Sequence, residues 1–172
     1  MERVRIQQRE EPILLREAAL PGALSGLCAA AAMAAVLMLF SSRQGDLWQP
    51  MKLIAATVLG AKAAGMPGFQ PLPVVVGATI HFATGVALGV FFAWLGGFLT
   101  TGGAMAWGIN FGLAVWVIMQ FGLLPVLNPW MAAFPPVPFA LAHGLFGLVL
   151  GSYPRFLPAE ATRIPEIWRK AA

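Results

Sequence analysis

The chain has 172 residues, of which 59% are hydrophobic and only 10% charged, against about 25% charged in an ordinary soluble domain. A nucleic-acid binder, a disordered chain and a disulfide-stapled secreted domain are all excluded. The net charge of +4 comes from residues at the two ends and in one loop, not from a stripe that could track phosphates.

The first segment, Glu2–Glu17, mixes four Arg and four Glu with Val4, Ile6, Ile13, Leu14 and Leu15. It is predicted as a cytoplasmic arm over residues 1–19, able to lie on headgroups or to dock on a neighbour. The apolar run behind it is about 19 residues, too long for the 7–15 of a cleaved leader. No charge occurs between Glu17 and Arg43, and none in the 92 residues from Ala63 to Pro154. One crossing needs about 20 apolar residues in a helix, and lipid offers no partner to bare backbone polar groups. The fold class is therefore all-α integral membrane, a four-transmembrane-helix bundle. The helices are predicted at Pro21–Phe40, Val74–Trp94, Ala104–Leu124 and Val137–Tyr153, within a domain spanning 20–153. Cys28, the only cysteine, is expected to be a small packing residue in the first.

Between helices one and two, Met51–Ala64 is helix-prone but short, and it carries Lys52 and Lys62. It is expected to lie at the membrane interface beside Trp48, within a segment of about 47–66, or to dip partway in. Gly96, Gly97, Gly102 and Gly103 mark a tight turn after helix two. Pro125, Pro129, Pro135, Pro136 and Pro138 interrupt the chain before helix four, because proline lacks a donor. Residues 154–172 form an interfacial tail around Ile164–Trp168. Eight Arg and Lys lie on the side of the termini: Arg3, Arg5, Arg9, Arg16, Arg155, Arg163, Arg169 and Lys170. Only Arg43, Lys52 and Lys62 lie on the other, so both termini are expected in the cytoplasm.

Helices two and four share the pattern A-x-x-H-x-x-x-G-x-x-L-G, starting at Ala78 and at Ala140. Helices one and three match more weakly, Gly22/Gly26 with Gly108/Gly112. Two similar hairpins related by a pseudo-two-fold axis along the membrane normal are expected. Gly22/Gly26, Gly85/Gly89, Gly108/Gly112 and Gly147/Gly151 each put two glycines on one helix face, where backbones can approach closely. All four pairs fall in the half nearer the termini. The other half carries Met33, Leu37, Met38, Trp116, Met119 and Phe121, and its helices are expected to splay.

His81 and His143 are the only ionisable side chains within the spans, which makes them candidates for function. Both sit roughly 8–12 Å below the start of their helices at 1.5 Å per residue. Axial ligation of a b-type haem is one reading. A small metal site, a proton or ligand-binding role, and a neutral imidazole bonded to a carbonyl or to Thr79, Thr84, Asn110 or Gln120 are the others. No carboxylate relay, thiolate cage, phosphate loop or nucleophile triad is present, so no enzyme is expected.

The I-H-F-x-x-G at Ile80–Gly85 and the A-H-x-x-x-G at Ala142–Gly147 resemble those of small uncharacterised bacterial inner-membrane proteins of unknown function. The likeness covers about residues 20–153 and implies a bacterial cytoplasmic-membrane location and a four-helix fold. It implies no activity. The expected function is a non-catalytic accessory or structural subunit of a larger membrane complex, such as a respiratory or photosynthetic one. Other integral membrane subunits and the lipid bilayer would be its partners. A haem b electron carrier using His81 and His143, and a small permease, are the alternatives.

Overall fold

The computed structural model describes residues 15–96 and 101–157, without side chains for 15–17. Residues 1–14 of the predicted docking arm, the Ile164–Trp168 anchor and Gly97 lie outside the described residues. Every described element is helical: α1 (Leu15–Ser42), α2 (Gln49–Leu59), α3 (Ala61–Gly65), α4 (Pro71–Leu95), α5 (Thr101–Val117), α6 (Leu124–Leu127), α7 (Pro129–Ala132) and α8 (Pro136–Leu150). A π-helical segment, Ile118–Leu123, joins α5 to α6, and a 3₁₀ turn, Tyr153–Phe156, follows α8.

Four stretches are long and apolar enough to cross a membrane: Ala18–Ser42, Pro71–Leu95, Thr101–Leu127 and Pro136–Phe156. All four begin or end beyond the sequence expectation, the first and third most informatively. The first helix starts by Leu15 and carries Pro21 inside it, so the last residues of the predicted arm are helical. The third runs on past Pro125 to Leu127. Proline cannot donate to the carbonyl four residues back, and the widened π turn, with the Leu124 N–H reaching Met119 O, absorbs that loss without ending the helix. Gly102 and Gly103 lie in the first turn of α5 rather than in a loop.

Pro71, Pro129 and Pro136 occupy first-turn positions, where the missing N–H has no helical partner in any case. α1 packs on α4, α5 on α8, and α1 also crosses α8. At the end holding the described termini, the buried Tyr153 hydroxyl donates to Gly96 O. Its ring meets Phe92 edge to face at 5.9 Å. The last turn of α4 is thereby tied to the exit from α8.

The helical segment between the first two spans is present as α2 and α3. α2 packs against α4, burying Pro50, Met51, Lys52, Leu53, Ala55 and Ala56. Its approach to α4 is through Gly77, where a Cβ would fall on Met51 O. Lys52 is fully buried, paired with Asp46 and donating to Met66 O. It is therefore a neutralised interior charge rather than one facing water. Gly60, at φ 76, turns α2 into α3 in a conformation that a side chain disfavours. Cys28 is exposed on the outer face of α1, so it does not pack internally.

Candidate functional site

All eight predicted glycines sit at backbone crossings. On α1 and α4, a Cβ at Gly22 would come 2.6 Å from Gly89 O. One at Gly26 would strike Gly85 O, and one at Gly85 would stand 2.6 Å from Ala30 Cβ. On α5 and α8, a Cβ at Gly108 would strike Gly147 O, one at Gly112 His143 O, and one at Gly151 Ala104 O. The same crossing is thus built twice.

The register of the repeat differs from the sequence expectation. Gly85 faces Gly26 and Ala30, while Gly147 faces Gly108 and Gly112. Gly26 therefore corresponds to Gly108, and Ala30 to Gly112, one turn away from matching Gly22/Gly26 with Gly108/Gly112. Each first helix carries three small residues at spacing four, Gly22-Gly26-Ala30 and Ala104-Gly108-Gly112. Aligning glycines alone slips that row by one turn.

Close packing at the glycine end leaves room at the other. α4 and α5 touch where Phe111 meets Phe92 at 5.1 Å and Phe91 at 6.2 Å. From there toward α2 the space between them is a cavity of about 510 Å³, within the ~300–1,000 Å³ usual for small-molecule sites. Met33, Leu37 and Met119 line it, among the bulky residues expected to splay the helices. α2 and the Asn128 turn close its far end through Ile54, Thr57 and Asn128. Thr84, an exposed residue of α4, also lines the cavity.

Both histidines line this cavity. His81 Nε2–H donates to Ala30 O across the crossing at 2.9 Å. His143 Nδ1–H donates to Phe139 O, one turn back on its own helix, at 2.9 Å. The His143 ring also meets Phe139 edge to face at 4.5 Å. Backbone carbonyls are their partners, as one of the sequence alternatives had it, rather than the hydroxyls and amides also considered. Thr79 bonds Val75 O, Asn110 bonds Ala106 O and Gln120 bonds Ala132 O. The two histidines thus use opposite nitrogens.

That asymmetry bears on haem. Bis-imidazole ligation needs a free nitrogen from each ring aimed at one iron. His143 has the usual ligand arrangement, Nδ1–H on a carbonyl with Nε2 left over. His81 has its Nε2 on Ala30, so it would have to leave α1 to serve as the second Nε2 ligand. Among the described residues no group of three or more His, Cys, Asp or Glu could hold a metal ion.

Sequence reasoning missed Gly77, Lys52–Asp46 and Asn128. Asn128 is fully buried; its amide donates to Leu53 O at 2.7 Å and to Thr57 Oγ1 at 2.8 Å, and its Oδ1 accepts from Met131 N–H at 3.0 Å. One side chain thereby joins α2 to α7 over the end of the cavity. Asn128→Ala is expected to cost about 1–3 kcal/mol, since it leaves buried groups unpaired. Reversible unfolding in detergent, followed by tryptophan fluorescence, measures it. The signal in the sequence was an Asn-Pro pair inside an apolar stretch, which also marks an ordinary helix cap.

A model described as a family of unknown function, DUF6789, matches residues 16–164. No curated protein and no solved structure matches the chain.

Proposed function

The chain belongs to DUF6789, a family of unknown function, and from that premise we propose that it is a non-catalytic, multi-pass component of the bacterial cytoplasmic membrane that takes an apolar guest into the cleft between α4 and α5. The observation that carries this reading is the cavity. It is walled by aliphatic, aromatic and methionine side chains, opens between two helices with uncovered outer faces, and holds a few convergent polar groups. Such a site recruits from the bilayer plane rather than from water.

The four long helices support insertion in the membrane, and the excess of Arg and Lys near the termini supports a cytoplasmic position for both. The doubled glycine crossing supports two similar hairpins related by a pseudo-two-fold axis. A small permease is less well supported, because Phe91, Phe92 and Phe111 close the cavity toward the termini.

A second reading, an accessory subunit of a larger membrane complex, draws on the outward faces of α4 and α5. Val75, Trp94, Trp107, Leu113 and Val117 are exposed there, and a partner helix seated on them would seal the cleft. Native mass spectrometry after gentle detergent extraction separates the readings. The chain carrying apolar small molecules supports the first, and an empty chain with a co-purifying subunit supports the second. An empty chain alone overturns both. A Soret band in the same sample, lost on His143→Ala, would assign the cleft to haem b instead.

A further inference from the structure

We infer that the guest of the α4–α5 cleft is an apolar molecule bearing a hydroxyl group, which donates its proton to the unpaired nitrogen of His143. The inference rests on the cleft-binding reading above. Carbonyl oxygens can only accept, so each imidazole nitrogen facing one must carry a proton. For His143 this is Nδ1, against Phe139 O; for His81 it is Nε2, against Ala30 O. An unpaired cation among apolar side chains is costly, so each ring is neutral and its other nitrogen holds a lone pair. Among the described residues neither lone pair has a donor, and neither atom is sealed away as a buried orphan. The cavity therefore presents two acceptors in an apolar wall.

The remaining polar groups narrow the class. The Asn128 amide is spent on Leu53, Thr57 and Met131. The cavity lining contains no carboxylate, so a cationic amine would enter without a counter-charge. An amide or free acid would bring an acceptor needing its own donor, and only the threonine hydroxyls supply one. An alcohol or phenol donates one proton and asks little in return. His143 is the better-placed acceptor: it is 5% exposed, its Nδ1 is anchored and its ring is braced edge-on against Phe139 at 4.5 Å. His81 Nδ1 would take a second hydroxyl on the same molecule.

The test uses the full chain in detergent micelles, stripped of lipid, with 4-octylphenol and its O-methyl ether, 4-octylanisole. Binding is read by calorimetry corrected for micelle partitioning, and by the ¹⁵N shift of His143 Nε2. The phenol is expected to bind about tenfold tighter than the ether, the usual effect of one buried hydrogen bond. It alone should move the Nε2 resonance. His143→Phe should bring the phenol down to the ether, and His143→Gln, which keeps an acceptor, should restore part of the difference. Equal binding of both probes with Nε2 unmoved overturns the hydroxyl inference and leaves the cleft reading standing. Binding of neither overturns the cleft reading, and this inference with it. The wild-type comparison decides the matter even where a His143 variant fails to fold.

Discussion

Gly147→Leu is expected to abolish folding, while Gly144→Leu, three residues earlier on α8, is tolerated. A Cβ at Gly147 would lie on Gly108 O and 3.1 Å from Gly112 N, both backbone atoms. Neither can move aside unless α5 and α8 part. The nearest atom to a Cβ at Gly144 is Leu113 Cδ2, at an ordinary 3.8 Å. Even the single methyl of Gly147→Ala should cost about 1–3 kcal/mol, as overpacking of a tight interior does. Gly144→Ala should be neutral or slightly stabilising, through higher helix propensity. Gly26→Ala, facing Gly85 O on the other pair, should behave like Gly147→Ala. Detergent unfolding of these variants, followed through the six tryptophans, ranks them. Equal stability of Gly144→Ala and Gly147→Ala would show that α5 and α8 do not cross at these glycines.

Asp46→Ala is expected to destabilise the α2 end of the bundle by about 3 kcal/mol, the lower end for removing one partner of a buried pair. Lys52 has no exposed surface, and its ammonium is met by Asp46 and by Met66 O. Without the carboxylate it keeps one neutral acceptor. Lys52→Met should cost less, because Asp46 retains some exposure and its bonds from Trp48 N–H at 3.0 Å and Gly68 N–H at 3.2 Å. The pair also sets an acid limit. Partial burial opposes ionisation of Asp46, but the Lys52 ammonium and the Trp48 and Gly68 amides outweigh it and hold its carboxyl below its ordinary range. A lowered carboxyl contributes stability above its unfolded value and loses it as pH falls through the folded one. The wild type should therefore lose stability below about pH 4, and Asp46→Ala should show a flatter profile there. Thermal melts across pH 2–7 check both the sign and the window.

The parts of the fold that showed in the sequence did so through strong local constraints. Charge-free stretches bounded by Arg and Lys delimit the spans, since an unpaired charge is so costly away from water. Prolines at 129, 135 and 136 mark the break before the last span because proline lacks a donor. Glycines at spacing four mark the crossings because only hydrogen fits between touching backbones. The errors arose where a local rule met a longer-range one. Pro125 reads as a break, yet a π turn carries the helix across it. Lys52 reads as a charge that holds its helix at the interface, yet Asp46, six residues earlier, pairs with it in the interior. The slipped glycine register reflects a row of three small residues whose alignment depends on the facing helix.

By itself, then, the order of residues determined where this polypeptide is helical, which faces are small and which side chains carry chemistry; each of these follows from neighbours within one or two turns. Only the tertiary arrangement decided that His81 and His143 border one cavity, which nitrogen of each is already spent, and that α2 with Asn128 seals its end. Those outcomes depend on how α1, α4, α5 and α8 cross, and a crossing is set by contacts between residues far apart in the chain, such as Gly26 with Gly85 and Gly108 with Gly147, which no local pattern encodes.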